Sequence, residues 1–190
     1  MNVIEISDTY KATADAFLSN STLLSVLGAY GRVEFEGAYA GNVMFHGDVD
    51  IRVVRDRDFS TDEIFLLARE LHDSLDGVRS VFLKADWDDP RIGEQYPVGR
   101  YIGLKLYIGN ERWKVDIWLV SEINNVRKEG VLDIAKTSLT QQQREKILEF
   151  KKYRKDHALK ISGQSIYEAV LQDGCVEPSI FFSKLHTENN

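Results

Sequence analysis

Two aspartates one residue apart, Asp48 and Asp50, stand in the segment DVDIRVV at residues 48–54. On an extended chain alternate side chains share a face, so both carboxylates project the same way with Cα atoms about 6–7 Å apart. Crowding two negative charges is costly unless something positive lies between them. A divalent cation is the natural neutraliser, and Mg²⁺ takes one or two carboxylates together with substrate phosphates and water. A third carboxylate, Asp116, occurs in WKVDIWLV at residues 113–120. There Val115, Ile117 and Leu119 alternate with Lys114, Asp116 and Trp118. This repeats the pattern of the first segment: Val49, Ile51 and Val53 form an apolar face, and Asp48, Asp50 and Arg52 a polar one. An Asp-X-Asp strand face is commonly just solvated. An isolated Asp in an apolar strand is less ordinary, because Asp is depleted from strands and rarely buried without a partner. If the two strands are neighbours, three acids converge and can hold two divalent ions about 3.5–4 Å apart. Such a pair activates an attacking oxygen and stabilises a leaving one, with Asp116 placed as general base for an acceptor hydroxyl.

The elements that must position these groups are legible from periodicity. Apolar residues Phe17, Leu24 and Leu27 recur at helical spacing between about Asp8 and Ala29, with Ser21 a possible second start. Val33, Phe35 and Gly37 share a face in RVEFEGAYAG, a short strand ending in a turn. In that turn, Gly37 to Gly41, the small residues around Tyr39 would let backbone N–H groups approach a phosphate, though a plain tight turn has the same composition. Ser60 with Glu63 forms a capping box ahead of a helix striped by Ile64, Leu67, Leu71 and Leu75. Three strands follow, VRSVFLK, RYIGLKLYI and RWKVDIWLV, the first two separated by an acidic, proline-bearing loop without period. Thr140 caps a further helix marked by Ile147, Phe150 and His157, and a last helix runs from about Ser162 to Asp173 and stops at Gly174. The order predicts an α+β fold: one mixed sheet flanked by helices, with C-terminal helices.

A chain of 190 residues fits one domain with a small helical appendage, divided here into residues 1–135 and 136–190. The net charge of −6 disfavours sequence-independent nucleic-acid binding, which needs a cationic surface. It leaves open a nucleotide bridged by metal ions. The charge is uneven. Residues 141–160 carry seven basic and three acidic side chains, which reads first as the solvated face of a helix and second as a substrate-facing basic patch. The single cysteine, Cys175, excludes an intramolecular disulfide and, with no signal-peptide pattern, fits a cytoplasmic setting. The longest uncharged run, Ala16 to Gly31, is too short to cross a membrane.

The stretch GAYAGNVMFHGDVDIRVV, with the later KVDIWLV, resembles the signature of the nucleotidyltransferase superfamily related to DNA polymerase beta. The pattern is Gly-Ser, a spacer of about ten residues, Asp-X-Asp or Asp-X-Glu, and a third acid on a later strand. Gly37 and Ala38 match the Gly-Ser pair, Asp48 and Asp50 the paired acids, and Asp116 the third, over roughly residues 30–120. The resemblance implies two Mg²⁺ ions (Mn²⁺ being an alternative), an NTP such as ATP as donor, an acceptor hydroxyl and pyrophosphate as product. It implies metal ligation by Asp48, Asp50 and Asp116, and triphosphate contacts from Gly37 and the Ala38 N–H. Alanine at position 38 lacks the hydroxyl of the family serine, at a cost of ~1.5–3 kcal/mol for one hydrogen bond to a charged group. A catalytically weak or inactive nucleotide- or partner-binding module of the same fold is therefore the alternative.

Lesser candidates complete the reading. Lys105 alternates onto the same face as Tyr101, Gly103 and Tyr107 and is a further candidate for phosphate contact. Arg52 is expected to pair with a carboxylate, and His46 to be structural or exposed. Trp87, Trp113 and Trp118 read as packing residues, with Trp87 in the long loop a candidate for stacking on a base. The acidic balance favours a small molecule or a protein over RNA as acceptor.

Overall fold

The computed structural model describes residues 1–84, 98–125, 132–175 and 177–188. The chain opens on α1 (Val3–Asn20) and α2 (Leu23–Tyr30), then β1 (Arg32–Glu36), the single helical turn α3 (Gly37–Ala40) and β2 (Asp48–Arg55). Next come α4 (Thr61–Ser74), β3 (Val78–Lys84), β4 (Arg100–Ile108) and β5 (Glu111–Ser121), and the chain closes on α5 (Gln141–Asp156), α6 (Gly163–Leu171) and α7 (Pro178–Glu188). The five strands form one mixed sheet in the order β1-β2-β5-β4-β3. β2 and β5 are parallel, and the other neighbouring pairs are antiparallel.

Strand alternation decides which face is covered. Val49, Ile51 and Val53 of β2, Ile102, Leu104 and Leu106 of β4, and Val115, Ile117 and Leu119 of β5 are all buried against α1, α2 and α4. α4 contributes Ile64, Leu67, Ala68 and Leu71, the stripe its sequence announces, and the Ser60–Glu63 capping box closes its first turn. The opposite face carries the polar residues, among them Asp48, Asp50, Lys114 and Asp116. A second core joins α5, α6 and α7 to Val43, Phe45 and Ile134, with Val3, Ile4 and Ile6 of α1 packed against it. Among the described residues no helix is long and apolar enough to cross a membrane.

Several boundaries differ from the sequence expectation. α1 begins at Val3 because Asn2 and Glu5 form a capping box, so the helix starts five residues before Asp8. Ser21 closes α1 rather than opening α2. The glycine-rich turn after β1 is a full helical turn, with Gly41 donating to the Gly37 carbonyl at 3.0 Å. His157 is the exposed C-terminal cap of α5 and stacks on Tyr153, so it does not mark the buried side with Ile147 and Phe150. α7 lies beyond the last helix that the sequence pattern marks, and its Phe182 is buried against Phe150 of α5. Trp87 and most of the acidic loop lie outside the described residues.

Two substitutions test this layering. Ile117→Ala removes a fully buried side chain between sheet and helices and should cost about 2–5 kcal/mol. Ser60→Ala removes one cap and should cost about 1 kcal/mol. Urea denaturation at unchanged slope should show the larger loss for Ile117→Ala, and equal losses would contradict the described core.

Candidate active site

The parallel pairing of β2 with β5 sets Asp50 directly beside Asp116, and Asp48 beside Lys114. β1 then places Glu36 opposite Asp50, and β4 places Gly103 opposite Asp116. One transverse row of the sheet therefore reads Glu36, Asp50, Asp116, Gly103. Glu36 is not a fourth member of the acidic cluster: it is ion-paired with Arg52 at 3.0 Å, which also donates to Asn125 Oδ1 at 2.7 Å. Asp48, Asp50 and Asp116 each offer a carboxylate oxygen within 4.8 Å of the others. Among the described residues this is the only such grouping of potential metal ligands.

Two glycines are required by this geometry. Gly37 has φ +59°, and a Cβ there would lie 2.0 Å from Asp50 Oδ2. No L-residue fits without displacing the carboxylate. At Gly103 a Cβ would lie 2.5 Å from the Tyr101 hydroxyl oxygen. That vacancy lets the Tyr101 O–H reach across and donate to Asp116 Oδ1 at 2.6 Å. The other Asp116 oxygen is ion-paired with the Lys114 ammonium. Partial burial pulls the Lys114 pKa down, but the bond to Asp116 and the charges of Asp48, Asp116 and Asp50 outweigh it, so the net shift is upward. Burial and the bond to Asp116 likewise push the Tyr101 phenol up, keeping it a donor.

The cluster is electrostatically incomplete. Burial first, then the charges of Asp48 and Asp116, raise the Asp50 pKa to about 7, and Lys114 only partly offsets them. Asp48 Oδ1 is buried and has no hydrogen-bond partner among the described residues. An all-oxygen donor set with an orphaned buried acceptor and an excess of negative charge fits a hard divalent cation.

Beside the acids lies a cleft of about 290 Å³ lined by Gly37, Ala38, Asp48, Asp50, Lys151 and Arg154, among others. Lys151, only 2% exposed, donates to the Val43 carbonyl at 2.7 Å and to the Tyr167 hydroxyl at 2.9 Å. Burial, with the neighbouring Arg154 charge, lowers its pKa to about 7, while Asp48 and Asp50 pull the other way. Gln164 and Tyr167 of α6 complete the wall. The basic block at 141–160 thus turns part of its charge inward, to the site. Lys151 and Arg154 fall in the 141–160 block, whose second reading is a substrate-facing basic patch, without being singled out there; Gln164 and Tyr167 were missed. The signals were the excess of basic residues over 141–160 and, within it, a lysine at position 151, one residue beyond Phe150 on the apolar stripe.

Of the other sequence candidates, Gly37 and Ala38 reach the cleft with Asp48 and Asp50. Lys105 shares the sheet face but sits across from Lys114, in the neighbouring groove. His46 is half-exposed, with Nε2 3.5 Å from Asp48 Oδ2. Trp113 is buried in the main core, and Trp118 packs against Tyr101 at 5.1 Å between ring centroids.

No protein-family model matches the chain, and no curated protein matches it. Solved structures do. Cid1 poly(U) polymerase with Mg and 3′-dATP bound is similar over 86% of this chain and 49% of its own, at TM-score 0.54 and 16% identity. The fold is the nucleotidyltransferase fold. A cytoplasmic RNA terminal U-transferase matches over 85% of this chain and 47% of its own, at TM-score 0.54 and 15% identity. The GLD-2/RNP-8 complex structure matches over 97% of this chain and 66% of its own, at TM-score 0.56 and 12% identity. The chain spans about half the length of the Cid1 and U-transferase structures.

A pH prediction follows from the two buried groups. Asp50 is raised from 3.8 to about 7, so the folded state holds an extra proton between those values and metal-free stability falls as pH rises through them. Lys151 is lowered from 10.5 to about 7, so above pH 7 the unfolded state holds the extra proton and stability climbs again. Thermal unfolding in chelator should show a minimum near pH 7. Asp50→Asn should remove the acid-side slope and stabilise the metal-free protein at neutral pH by on the order of 1–3 kcal/mol. A flat profile unchanged by Asp50→Asn would contradict the described burial.

Proposed function

We propose that the protein transfers a nucleoside monophosphate from an NTP to an acceptor hydroxyl and releases pyrophosphate. The observation that carries this reading is the convergence of Asp48, Asp50 and Asp116 on the open sheet face, beside a cleft walled by Lys151 and Arg154. Asp48 and Asp50 would hold a pair of divalent cations, with Asp116 completing the site of one of them. When bound, such a pair (Mg²⁺ by the all-oxygen donor set) supplies charge neutralisation for the triphosphate and for the attacking and leaving oxygens.

This chain's residues do the rest. The Lys151 ammonium and the Arg154 guanidinium sit where a triphosphate meets the acids, and they offset its negative charge. Gly37, lacking a side chain, and Ala38 allow its close approach from the β1 side. The acceptor oxygen forms a bond to the α-phosphorus. The bond from that phosphorus to the bridging oxygen breaks, and the electron pair leaves with pyrophosphate. The acceptor proton passes to the Asp116 carboxylate, which Tyr101 and Lys114 hold in place from either side.

Pyrophosphate release should be measured with each of the four NTPs in the presence of Mg²⁺ and a mixed pool of RNA, protein and metabolites. Asp50→Ala and Asp116→Asn should each abolish it while leaving the thermal transition at or above that of wild type. Turnover retained in either variant overturns the site, and NTP binding without turnover in the wild-type protein favours a non-catalytic module. Ala38→Ser adds the hydroxyl that the turn lacks and should tighten NTP binding by about tenfold, as read by calorimetry with a non-hydrolysable analogue.

A further inference from the structure

On the other side of the acids, away from Lys151, the same sheet face opens into a groove of about 460 Å³. Its polar lining is Arg79, Ser80, Lys105, Tyr107, Arg112 and Lys114. Four of these are cations, and no carboxylate lines the groove among the described residues. The protein as a whole carries −6, so this is a local reversal of charge sign. Cross-strand register builds it: Lys114 of β5 faces Lys105 of β4, which faces Ser80 of β3.

Exposed rings stand among the cations. Phe82 lies opposite Gly103, which is itself opposite Asp116, and is 50% exposed. Tyr107 is 37% exposed. Lys105 Nζ rests 4.7 Å from the centre of the Phe82 ring. Arg112 Nε donates to the Tyr107 hydroxyl at 3.0 Å. Ordinarily a phenyl ring on a sheet face is covered, because exposure forfeits its burial free energy. The covered face of this sheet lies on the other side, under α1, α2 and α4.

The groove reaches the chemistry through Lys114, which lines it and also pairs with Asp116. Two recesses therefore flank the acids, one on the Lys151 side and one on the Asp116 side. If the first holds the donor triphosphate, an acceptor must arrive along the second for its hydroxyl to reach Asp116.

We propose that this groove and the adjoining Phe82 ring are the acceptor platform, and that the acceptor is a single-stranded nucleic acid. Alternating cations and aromatic faces match phosphates and bases in turn, whereas an acidic peptide would use the cations and leave the rings idle. A duplex hides its base faces and is not the occupant. The assignment rests on the nucleotidyl-transfer reading and specifies its acceptor. It departs from the small-molecule or protein acceptor that net charge favours, because local rather than total charge acts across a Debye length of about 8–10 Å.

The test is binding, with no turnover required. Fluorescence anisotropy of the full chain is followed with a labelled single-stranded RNA of roughly ten nucleotides, the same sequence as DNA, a blunt RNA duplex and a poly-glutamate peptide, from about 50 to 200 mM salt. The wild-type protein should bind single strands in preference to duplex and peptide, and RNA tighter than DNA would identify RNA as the natural strand. Lys105→Ala with Arg112→Ala should weaken binding at least tenfold and reduce the magnitude of the log–log salt slope by about 1.4. Phe82→Ala should weaken it about fivefold or more with the slope unchanged, the mark of stacking. None of these variants should alter affinity for an NTP analogue. The proposal is overturned if the wild-type protein binds neither single strand, if the variants bind as well as wild type, or if the peptide or duplex binds more tightly than the single strands. Pyrophosphate release without strand binding would sink the platform and leave nucleotidyl transfer standing. Strand binding without pyrophosphate release under any condition would do the reverse.

Discussion

Three carboxylates on one patch of sheet repel one another, and much of the surrounding architecture holds them there. The parallel β2–β5 pair fixes their spacing through backbone hydrogen bonds, which do not weaken when the side chains repel. The apolar undersides of both strands are locked into the main core, so neither strand can rotate its aspartates outward without exposing Val49, Ile51, Val115 and Ile117. The repulsion is met only in part by Lys114, an internal cation at Asp116. What is left appears as a protonated tendency at Asp50 and an unpartnered oxygen at Asp48. Hydrophobic burial on one face of the sheet thus supports electrostatic strain on the other.

The groups around the acids follow from that constraint. Glu36 adds a fourth negative charge to the row, and buried Arg52 pairs with it, so that its effect on Asp50 is the smallest of the acids'. Gly37 takes a left-handed conformation against Asp50 because any side chain would occupy the carboxylate's place. Gly103 opposite Asp116 leaves the space through which the Tyr101 hydroxyl arrives. Lys151 is the converse of Asp50: a cation buried where its own solvation is poor, held by one carbonyl and one phenol within the field of the acids. An anionic ligand such as a triphosphate, accompanied by divalent cations, would relieve both groups at once.

Charge is segregated more finely than its total suggests. The acidic excess is spread over the N-terminal region and the site, while the open face of β3, β4 and β5 gathers Arg79, Lys105, Arg112 and Lys114. β5 contributes to both regions within five residues, from Arg112 to Asp116, because strand alternation keeps all its even-numbered side chains on one face. The same strand therefore links the acidic centre to the basic groove, with Lys114 touching both.

The elements and the three acids were legible in the order of residues alone. Period-two alternation marked β2, β3, β4 and β5 nearly to the residue, and the Ser60 capping box and the Thr140 cap marked α4 and α5, since these signals are local and depend on neighbours within four positions. The sequence showed Asp48 and Asp50 on one face for the same reason. It did not show that α5 points Lys151 and Arg154 at the acids, that α6 supplies Tyr167, or that Gly103 serves Tyr101. Those facts depend on how the C-terminal helices dock beside the sheet and on which strands become neighbours, and cross-strand register is set by the packed core rather than by any short stretch of chain. Net charge could not show the basic groove for a related reason: a sum over residues has no positions in it, and only the folded sheet decides which cations share a face.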